Sequence, residues 1–318
     1  MEQKDKFSVY CAPIQGLTEL PWRHFHRAVY GDAVTAYHTP FLRVERSEVR
    51  PRDLKALESD MNASVPLVPQ IIVRDLREME MLVEKVTAAG YSTIDINMGC
   101  PFPPQIHHGR GAGMIGRRDL LEALGEVMHS RYAHVQFTLK MRLGVNEPTE
   151  WREAIDVINN MPLKRLTVHP RTARQQYAGE LHLGEFGELL GAAVHPVVYN
   201  GDILTPADIT RIREEYPKVE GVMIGRGLFS RPSMVAEWRE GMEWDAHTRA
   251  QRMLKLHSLL YDYYTERVSG DGQLMGKLKP FWDYLEGVER RTLKMMKKAV
   301  TIRKYDEAVA AIERDLLN

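Results

Sequence analysis

Five short stretches of this sequence hold residues able to do chemistry. Asn97-Met98-Gly99-Cys100-Pro101 sets a thiol between a glycine and a proline, which marks a tight turn. Lys140 and His169 close two apolar runs, in Leu139-Lys140-Met141-Arg142 and Val168-His169-Pro170-Arg171. Asn200-Gly201 and Gly225-Arg226 end two more. Glycine lets backbone amides approach an anion and arginine supplies a bidentate charge, so this last pair reads as a phosphate site, the alternative being ordinary turn glycines beside a surface arginine. A lysine ending a buried run needs a partner, because an unpaired buried ammonium is costly. That partner is either a salt-bridging carboxylate or an anionic cofactor. Basic residues converging from several run ends favour the cofactor, and a flavin suits, since its N1–O2 edge gains negative charge on reduction. Cys11, inside a run, reads as a small buried hydrophobe. Cys100 reads as a general acid, because its turn aims the thiol outward and a thiol donates a proton at neutral pH. No Cys-His-Asn protease spacing accompanies it.

The elements that must position these residues follow from the pattern around them. Apolar runs recur at residues 8–13, 33–39, 67–72, 93–97, 135–140, 165–169, 196–200 and 221–225. They are continuous rather than alternating, as in strands buried on both faces. Helical segments lie between them. Asp75 caps one that runs to Ala89, with Gly90 as its stop; Thr149 precedes another over 150–159; Thr205-Pro206 opens a third over 207–215. The expected fold is α/β, a (β/α)8 TIM barrel, with its site at the C-terminal ends of the strands. The irregular stretch 101–116 reads as a lid or substrate-contacting loop. Beyond Met242 strand-like runs stop, and helices are expected over 244–266, 274–285, 289–300 and 304–317. The domain reading is a catalytic barrel over 1–242 and a C-terminal all-α helical bundle over 243–318.

The bulk numbers narrow the class. The chain has 318 residues and a formal net charge of zero, so any attraction to nucleic acid has to come from a local patch. Two cysteines exclude a disulfide framework, and the charged stretch 1–6 resembles no secretory leader. A cytoplasmic monomer with no membrane association is expected.

The motifs resemble the tRNA-dihydrouridine synthase family. The likeness runs through Cys-Ala-Pro-Ile-Gln-Gly-Leu-Thr (11–18), Asn-Met-Gly-Cys-Pro (97–101) and Gly-Arg-Gly-Ala-Gly (109–113). It continues in Lys-Met-Arg-Leu-Gly (140–144), His-Pro-Arg-Thr (169–172), Asn-Gly-Asp-Ile (200–203) and Met-Ile-Gly-Arg-Gly (223–227), in family order along essentially the whole chain. The resemblance implies a bound FMN in the barrel and a helical RNA-binding domain after it. FMN contacts would be Pro13, Ile14, Gln70, Asn97, Lys140, His169, Asn200, Gly201, Asp202, Gly225 and Arg226. FMN recharged by NADPH would pass a hydride to C6 of a uracil, and Cys100 would protonate C5. The segment 275–282, with Lys277 and Lys279 ahead of Phe281-Trp282, resembles the family's helical-domain motif and looks closest to the bacterial subfamily acting on D-loop uridines. Three positions depart from the family pattern: Phe102-Pro103-Pro104, Pro40 and Pro170. All border the expected uridine pocket rather than the flavin.

A tRNA partner finds support in the sequence itself. Between Lys277 and Lys304 nine Lys/Arg face three carboxylates, and Arg290, Lys294, Lys297 and Lys298 share one helical face. Such a stripe can track phosphates, although a solvated helix face is the plainer alternative. A uracil stacked in folded RNA must be extruded and held, and Arg43, Arg171 and Tyr177 are candidates for that contact. Two other classes stay open: an FMN barrel reducing a free pyrimidine or small enone, like dihydroorotate dehydrogenase, and a non-catalytic RNA-binding homologue.

Overall fold

The computed structural model describes residues 7–285 and 287–317; the charged stretch 1–6, expected to lead into the first strand, lies outside the described residues. Every expected apolar run forms strand. The strands are β1 (Ser8–Cys11), β2 (Ala36–His38), β3 (Leu67–Val68), β4 (Gln70–Ile71), β5 (Thr93–Met98), β6 (Gln136–Gly144), β7 (Leu163–Thr172), β8 (Val197–Tyr199) and β9 (Val219–Ile224). All pair in parallel, in the order β3-β2-β1-β9-β8-β7-β6-β5-β4. The two ends of this order are consecutive in the chain, separated by Pro69 alone. Proline has no N–H to give the ladder, so one apolar run becomes two strands. Val68 pairs with His38 on one side, and Gln70 pairs with Asp95 on the other. The sheet is therefore a nearly closed nine-strand parallel barrel.

The helices begin where their caps allow. The Asp75 carboxylate accepts the Glu78 amide at 2.9 Å and starts Leu76–Ala88. Thr205 and Asp208 form a capping box at the start of Pro206–Glu215. Thr149 caps nothing. The Glu150 carboxylate instead accepts the amides of Val145, Asn146 and Glu147, and only Ile155–Asn160 is α-helical there. The stretch 101–116, expected to be irregular, carries a short helix Pro103–His107 and a 3-10 turn Gly111–Met114. A hairpin of Val44–Glu45 with Glu48–Val49 was not expected; Arg46 and Ser47 at its tip both have positive φ, without the Asn-Gly that usually announces such a turn.

The apolar core lies mainly between the barrel and its helices. Inside, a small cluster of Tyr10, Ala12, Ala36, Val68, Val198 and Met223 shares the lumen with buried His38, Gln70, Asp95 and Thr138. The C-terminal part is helical, as Ala246–Arg267, Asp271–Leu278, Arg290–Lys298 and Ile302–Leu317. The helix expected over 274–285 stops at Leu278, because Pro280 follows and the chain turns as Lys279–Trp282. Tyr305 Oη meets His257 Nε2 at 2.7 Å and Trp282 Nε1 at 2.8 Å in the middle of these helices. Ala246–Arg267 packs on the barrel helix Leu20–Tyr30, and Lys277 pairs with Glu19 at 2.7 Å.

The barrel's closure can be tested at Gly221, where a Cβ would lie 2.1 Å from the Ser8 carbonyl oxygen of the neighbouring strand. Gly221→Ala should push β1 off β9 and cost about 1–3 kcal/mol. A lowered Tm by circular dichroism is the expected result, and an unchanged Tm would show that the two strands separate freely.

Candidate active site

The mouth of the barrel opens into a cleft in contact with solvent. Each strand end delivers a piece of its wall. Pro13 and Ile14 follow β1; Asn97 ends β5 and Cys100 follows it; Lys140 lies on β6 and His169 on β7. Asn200, Gly201 and Asp202 follow β8, and Gly225 and Arg226 follow β9. Tyr177, on the loop after β7, completes the rim. The structure thus brings together most of the residues expected from the sequence.

Four of the expected residues sit elsewhere. Gln70 is fully buried beneath the cleft, where its Oε1 accepts from Asn97 at 2.7 Å. Arg171 was a candidate for base contact, yet it is buried. Its guanidinium donates to the Asp202 carboxylate, at 2.9 Å to Oδ1, and to the Gly179 carbonyl at 2.8 Å. Arg43 pairs with Glu45 outside the cleft wall. Lys279 donates to the carbonyls of Lys297 and Ala299, at 2.6 and 3.1 Å, and so ties down the end of Arg290–Lys298.

The sequence reading assigned no role to Arg142. It lines the cleft, donating to the carbonyls of Gly99 at 3.0 Å and Thr172 at 2.9 Å. The signal was present: residues two apart on a strand share a face, so Lys140 in the wall implies Arg142 beside it.

The electrostatics are one-sided. Lys140, Arg142 and Arg226 line the cleft, Arg171 stands directly behind, and Asp202 is the sole carboxylate of the wall among the described residues. Asp202 is shared, accepting from Arg226 at 3.0 Å as well as from Arg171. Burial would raise its carboxyl, but the two guanidinium groups hold it below the ordinary range. Burial pulls Lys140 down to about 8, with Arg142 repelling it further and Asp95 opposing the shift. His169 is pushed well below its usual value by burial and by the surrounding cations, so its ring is neutral. Tyr177 stands half exposed between two guanidinium groups, with Arg226 5.0 Å and Arg142 5.4 Å from its ring centre.

Cys100 faces this wall. Its turn is shaped by Asn97, whose Oδ1 accepts the amides of Cys100 at 2.8 Å and Gly99 at 3.1 Å. Gly111, at φ +57, packs so tightly over it that a Cβ would meet the Cys100 Cβ at 2.8 Å. Burial pushes the thiol up, while the Phe102 amide and the nearby Arg142 and Lys140 work against that rise. The net effect is a thiol protonated at neutral pH, in keeping with a proton donor.

The fold is that of known parallel barrels. The old yellow enzyme from Trypanosoma cruzi superposes with a TM-score of 0.54 at 10% identity, over 74% of this chain and 89% of that one. The family assignment comes from sequence: the family model described as "Dihydrouridine synthase (Dus)" matches residues 10–316, so the chain belongs to the dihydrouridine synthase family. "Probable tRNA-dihydrouridine synthase 2" of Bacillus subtilis is 31% identical over 182 residues, which are 56% of this chain and 54% of that relative, about half its length. "Probable tRNA-dihydrouridine synthase" of Staphylococcus aureus is 27% identical over 266 residues, 80% of this chain and 77% of the relative.

Lys140 gives the site a measurable pH signature. Its folded value of about 8 lies below the unfolded value of roughly 10.4. Below pH 8 both states hold the proton, and the charge weighs against the fold. Between about 8 and 10.4 only the unfolded chain holds it, so stability rises with pH across that window. Lys140→Met should stabilise the ligand-free protein at pH 7 by about 0.5–2 kcal/mol and remove that rise. Thermal unfolding from pH 6 to 10 checks both.

Proposed function

We propose that this protein reduces uridine to 5,6-dihydrouridine in the D-loop of tRNA, with FMN bound in the barrel mouth and NADPH as reductant. The observation that carries the reading is the pairing, in one cleft of a dihydrouridine synthase, of a protonated Cys100 with a wall of cations. The donor set suits FMN. Lys140, Arg142 and Arg226 offset an anion, neutral His169 offers a hydrogen bond without adding charge, and among the described residues no His/Cys/Asp/Glu cluster could hold a metal. In this assignment Arg226, Asn200 and the glycines Gly201 and Gly225 hold the phosphate, and Lys140 and His169 hold the flavin edge.

The chemistry that FMN supplies when bound is hydride transfer to C6 of the uracil. Cys100 gives its proton to C5, so hydride and proton together saturate the 5,6 double bond. Lys140 and Arg142 stabilise negative charge on the cofactor side of the cleft. The rim residue Tyr177, between two guanidinium groups, offers a stacking surface to an extruded base.

Several features favour a large polyanionic substrate over a free nucleoside. Arg290, Lys294, Lys297 and Lys298 are all exposed on one face of their helix, while Leu293 is half-buried and Met296 buried on the other. A second cleft opens between the barrel and Ala246–Arg267. It shares Gln15 and Pro40 with the first and carries Arg52, Lys55, Tyr263 and Arg267. The domain division proposed is a catalytic barrel over 1–242 and an RNA-binding helical unit over 243–318. No helix among the described residues is long and apolar enough to cross a membrane; the reading is of a monomer acting in the cytoplasm.

Cys100→Ala tests the chemistry. The variant should bind FMN and oxidise NADPH as the parent does, yet form dihydrouridine about 10²–10⁴-fold more slowly, since only the general acid is missing. Single-turnover reduction of an unmodified tRNA transcript by prereduced enzyme measures this, and a parental rate would return Cys100 to the role of a packing residue.

Changing Arg290, Lys294, Lys297 and Lys298 to Gln tests the RNA surface. Folding and flavin content should persist. Each phosphate that the variant no longer neutralises should flatten the slope of log K against log salt by roughly 0.7–0.9. A titration of labelled tRNA at several salt concentrations gives the slope; no change would make the stripe a solvated face.

A further inference from the structure

Two residues beyond Cys100 the chain exposes a ring that the apolar core does not use. Phe102 is 57% exposed, and among the described residues it is the one exposed phenylalanine. Burying a phenylalanine stabilises a fold, and here that contribution is forgone. A single exposed ring on a surface is ordinary. This one differs in its place and in its support. Exposed aromatic side chains are few among the described residues: Phe102, Tyr177 and Tyr284. Two of them border one cleft, Tyr177 in its rim and Phe102 next to the wall residues Cys100 and Pro101.

The segment that carries the ring is stiff. Pro101, Pro103 and Pro104 flank it, each with φ fixed by its own ring. The Phe102 carbonyl accepts the amides of Gln105 at 2.9 Å and Ile106 at 3.2 Å, which starts the short helix Pro103–His107. The Cys100 carbonyl accepts the Ala112 amide at 3.2 Å, and the Gln105 carbonyl accepts the Arg110 amide at 2.9 Å. Gly113 lies so close to Ile106 that a Cβ would come within 2.6 Å of its carbonyl oxygen. Arg110 is itself bonded to buried Glu78, its Nε donating to Oε2 at 3.0 Å. The backbone under the ring is in place before a partner arrives, so only the ring's own torsions are lost on contact.

The partner follows from the thiol. Two residues of chain span at most about 7 Å. Stacked nucleotides are about 3.4 Å apart along a strand. With Cys100 placed to protonate C5 of a uracil, a base one or two positions along the same strand comes within reach of the Phe102 ring. Every base has a π-face, so an aromatic ring stacks on it whatever the sequence. The cations Lys140, Arg142 and Arg226 of the adjoining cleft match the charge of that strand and do not match an apolar peptide. We propose that Phe102 is a binding residue for RNA, stacking on a base that flanks the target uridine. The proposal rests on the function proposed above and adds to it a contact outside the uridine pocket: Tyr177 meets the extruded base, and Phe102 meets a base that stays in the strand.

The test compares Phe102→Ala and Phe102→Trp with the parent, all loaded with flavin, on an unmodified tRNA transcript. The exposed ring can be removed without opening the core, so Phe102→Ala should keep the parental Tm and flavin content. It should bind tRNA about 5- to 100-fold more weakly, the loss expected of one base–aromatic stack. The slope of log K against log salt should stay parental, because no phosphate contact is lost. KM for tRNA should rise by a similar factor while kcat stays within about twofold, as for a contact made equally before and during the reaction. Phe102→Trp should bind and react like the parent. Its added indole should lose fluorescence as tRNA is titrated in, a readout that needs no turnover.

Parental affinity and KM in Phe102→Ala would overturn the proposal. A fall in kcat at unchanged KM would do the same, since it would make the ring a support for the Cys100 turn. Should Phe102→Ala lose Tm or flavin, the indole decides: emission indifferent to bound tRNA overturns the stack, and quenching upholds it. A parent that binds tRNA yet forms no dihydrouridine would refute the reduction proposed above, while affinity and fluorescence still decide the stack. A parent that binds no tRNA would overturn both.

Discussion

The mouth of this barrel is held together against its own charge. Lys140, Arg142, Arg171 and Arg226 converge from two strands and a loop on one neutral ring, His169, with Asp202, the one carboxylate of the wall among the described residues, shared between two of them. Flexible side chains in water would spread apart; here the wall is rigid strand, and the repulsion is stored. It shows in the downward shifts of Lys140 and His169, where burial is joined by cation–cation repulsion. Asp202, which bonds two of the guanidinium groups, has a left-handed φ of 41°. Strain of that kind persists only where the surroundings impose it. An anion entering the cleft would relieve charge that the fold otherwise carries uncompensated, so binding energy is prepared in the wall itself.

The same cations and the same burial divide the titratable groups of the cleft into separate roles. Desolvation disfavours the charged form of any group, so it raises a thiol and lowers an ammonium or an imidazole. Cys100 is therefore kept protonated even though Arg142 and Lys140 pull the other way, and His169 is kept neutral by both effects together. Lys140 ends closest to neutrality, because Asp95 offsets part of what burial and Arg142 impose. A protonated thiol, a neutral ring and a cation with a lowered pKa result from one environment acting on three different functional groups.

Much of this was legible in the sequence, and the parts that were not share a cause. Continuous apolar runs identify strands because a strand between lumen and helices has no wet face; caps such as Asp75 and Thr205 identify helix starts because they act within three residues. The cleft residues were legible because a parallel barrel gathers strand ends at one mouth. Most of the unannounced contacts involve partners distant in sequence. Arg171 reads as a free substrate contact until Asp202 and the Gly179 carbonyl are seen beside it. Lys277 and Lys279, expected as RNA contacts, also have partners inside the fold that the sequence does not announce: one meets Glu19 across the chain and the other the end of Arg290–Lys298. Gln70, a flavin contact in what the family resemblance implies, is buried beneath the cleft and paired with Asp95, a partner 25 residues away that the sequence does not announce. Glu150 displaced the cap expected of Thr149 because a carboxylate reaching three amides outcompetes one hydroxyl.

The cations used inside the fold also decide how the exposed ones are presented. A lysine at a helix C-terminus satisfies carbonyls that have no partner within the helix and complements the helix dipole. Lys279 does this for Arg290–Lys298, and so fixes the end of the helix on which Arg290, Lys294, Lys297 and Lys298 lie. Lys277, two residues away, is tied to Glu19 at the start of Leu20–Tyr30, which packs directly on the barrel. The short segment between these two lysines therefore couples the basic helix face to the loop that follows β1 and, through Gln15, to both clefts. Lys277 and Lys279 thus hold the basic helix face in a set position relative to the barrel mouth rather than on a flexible tether.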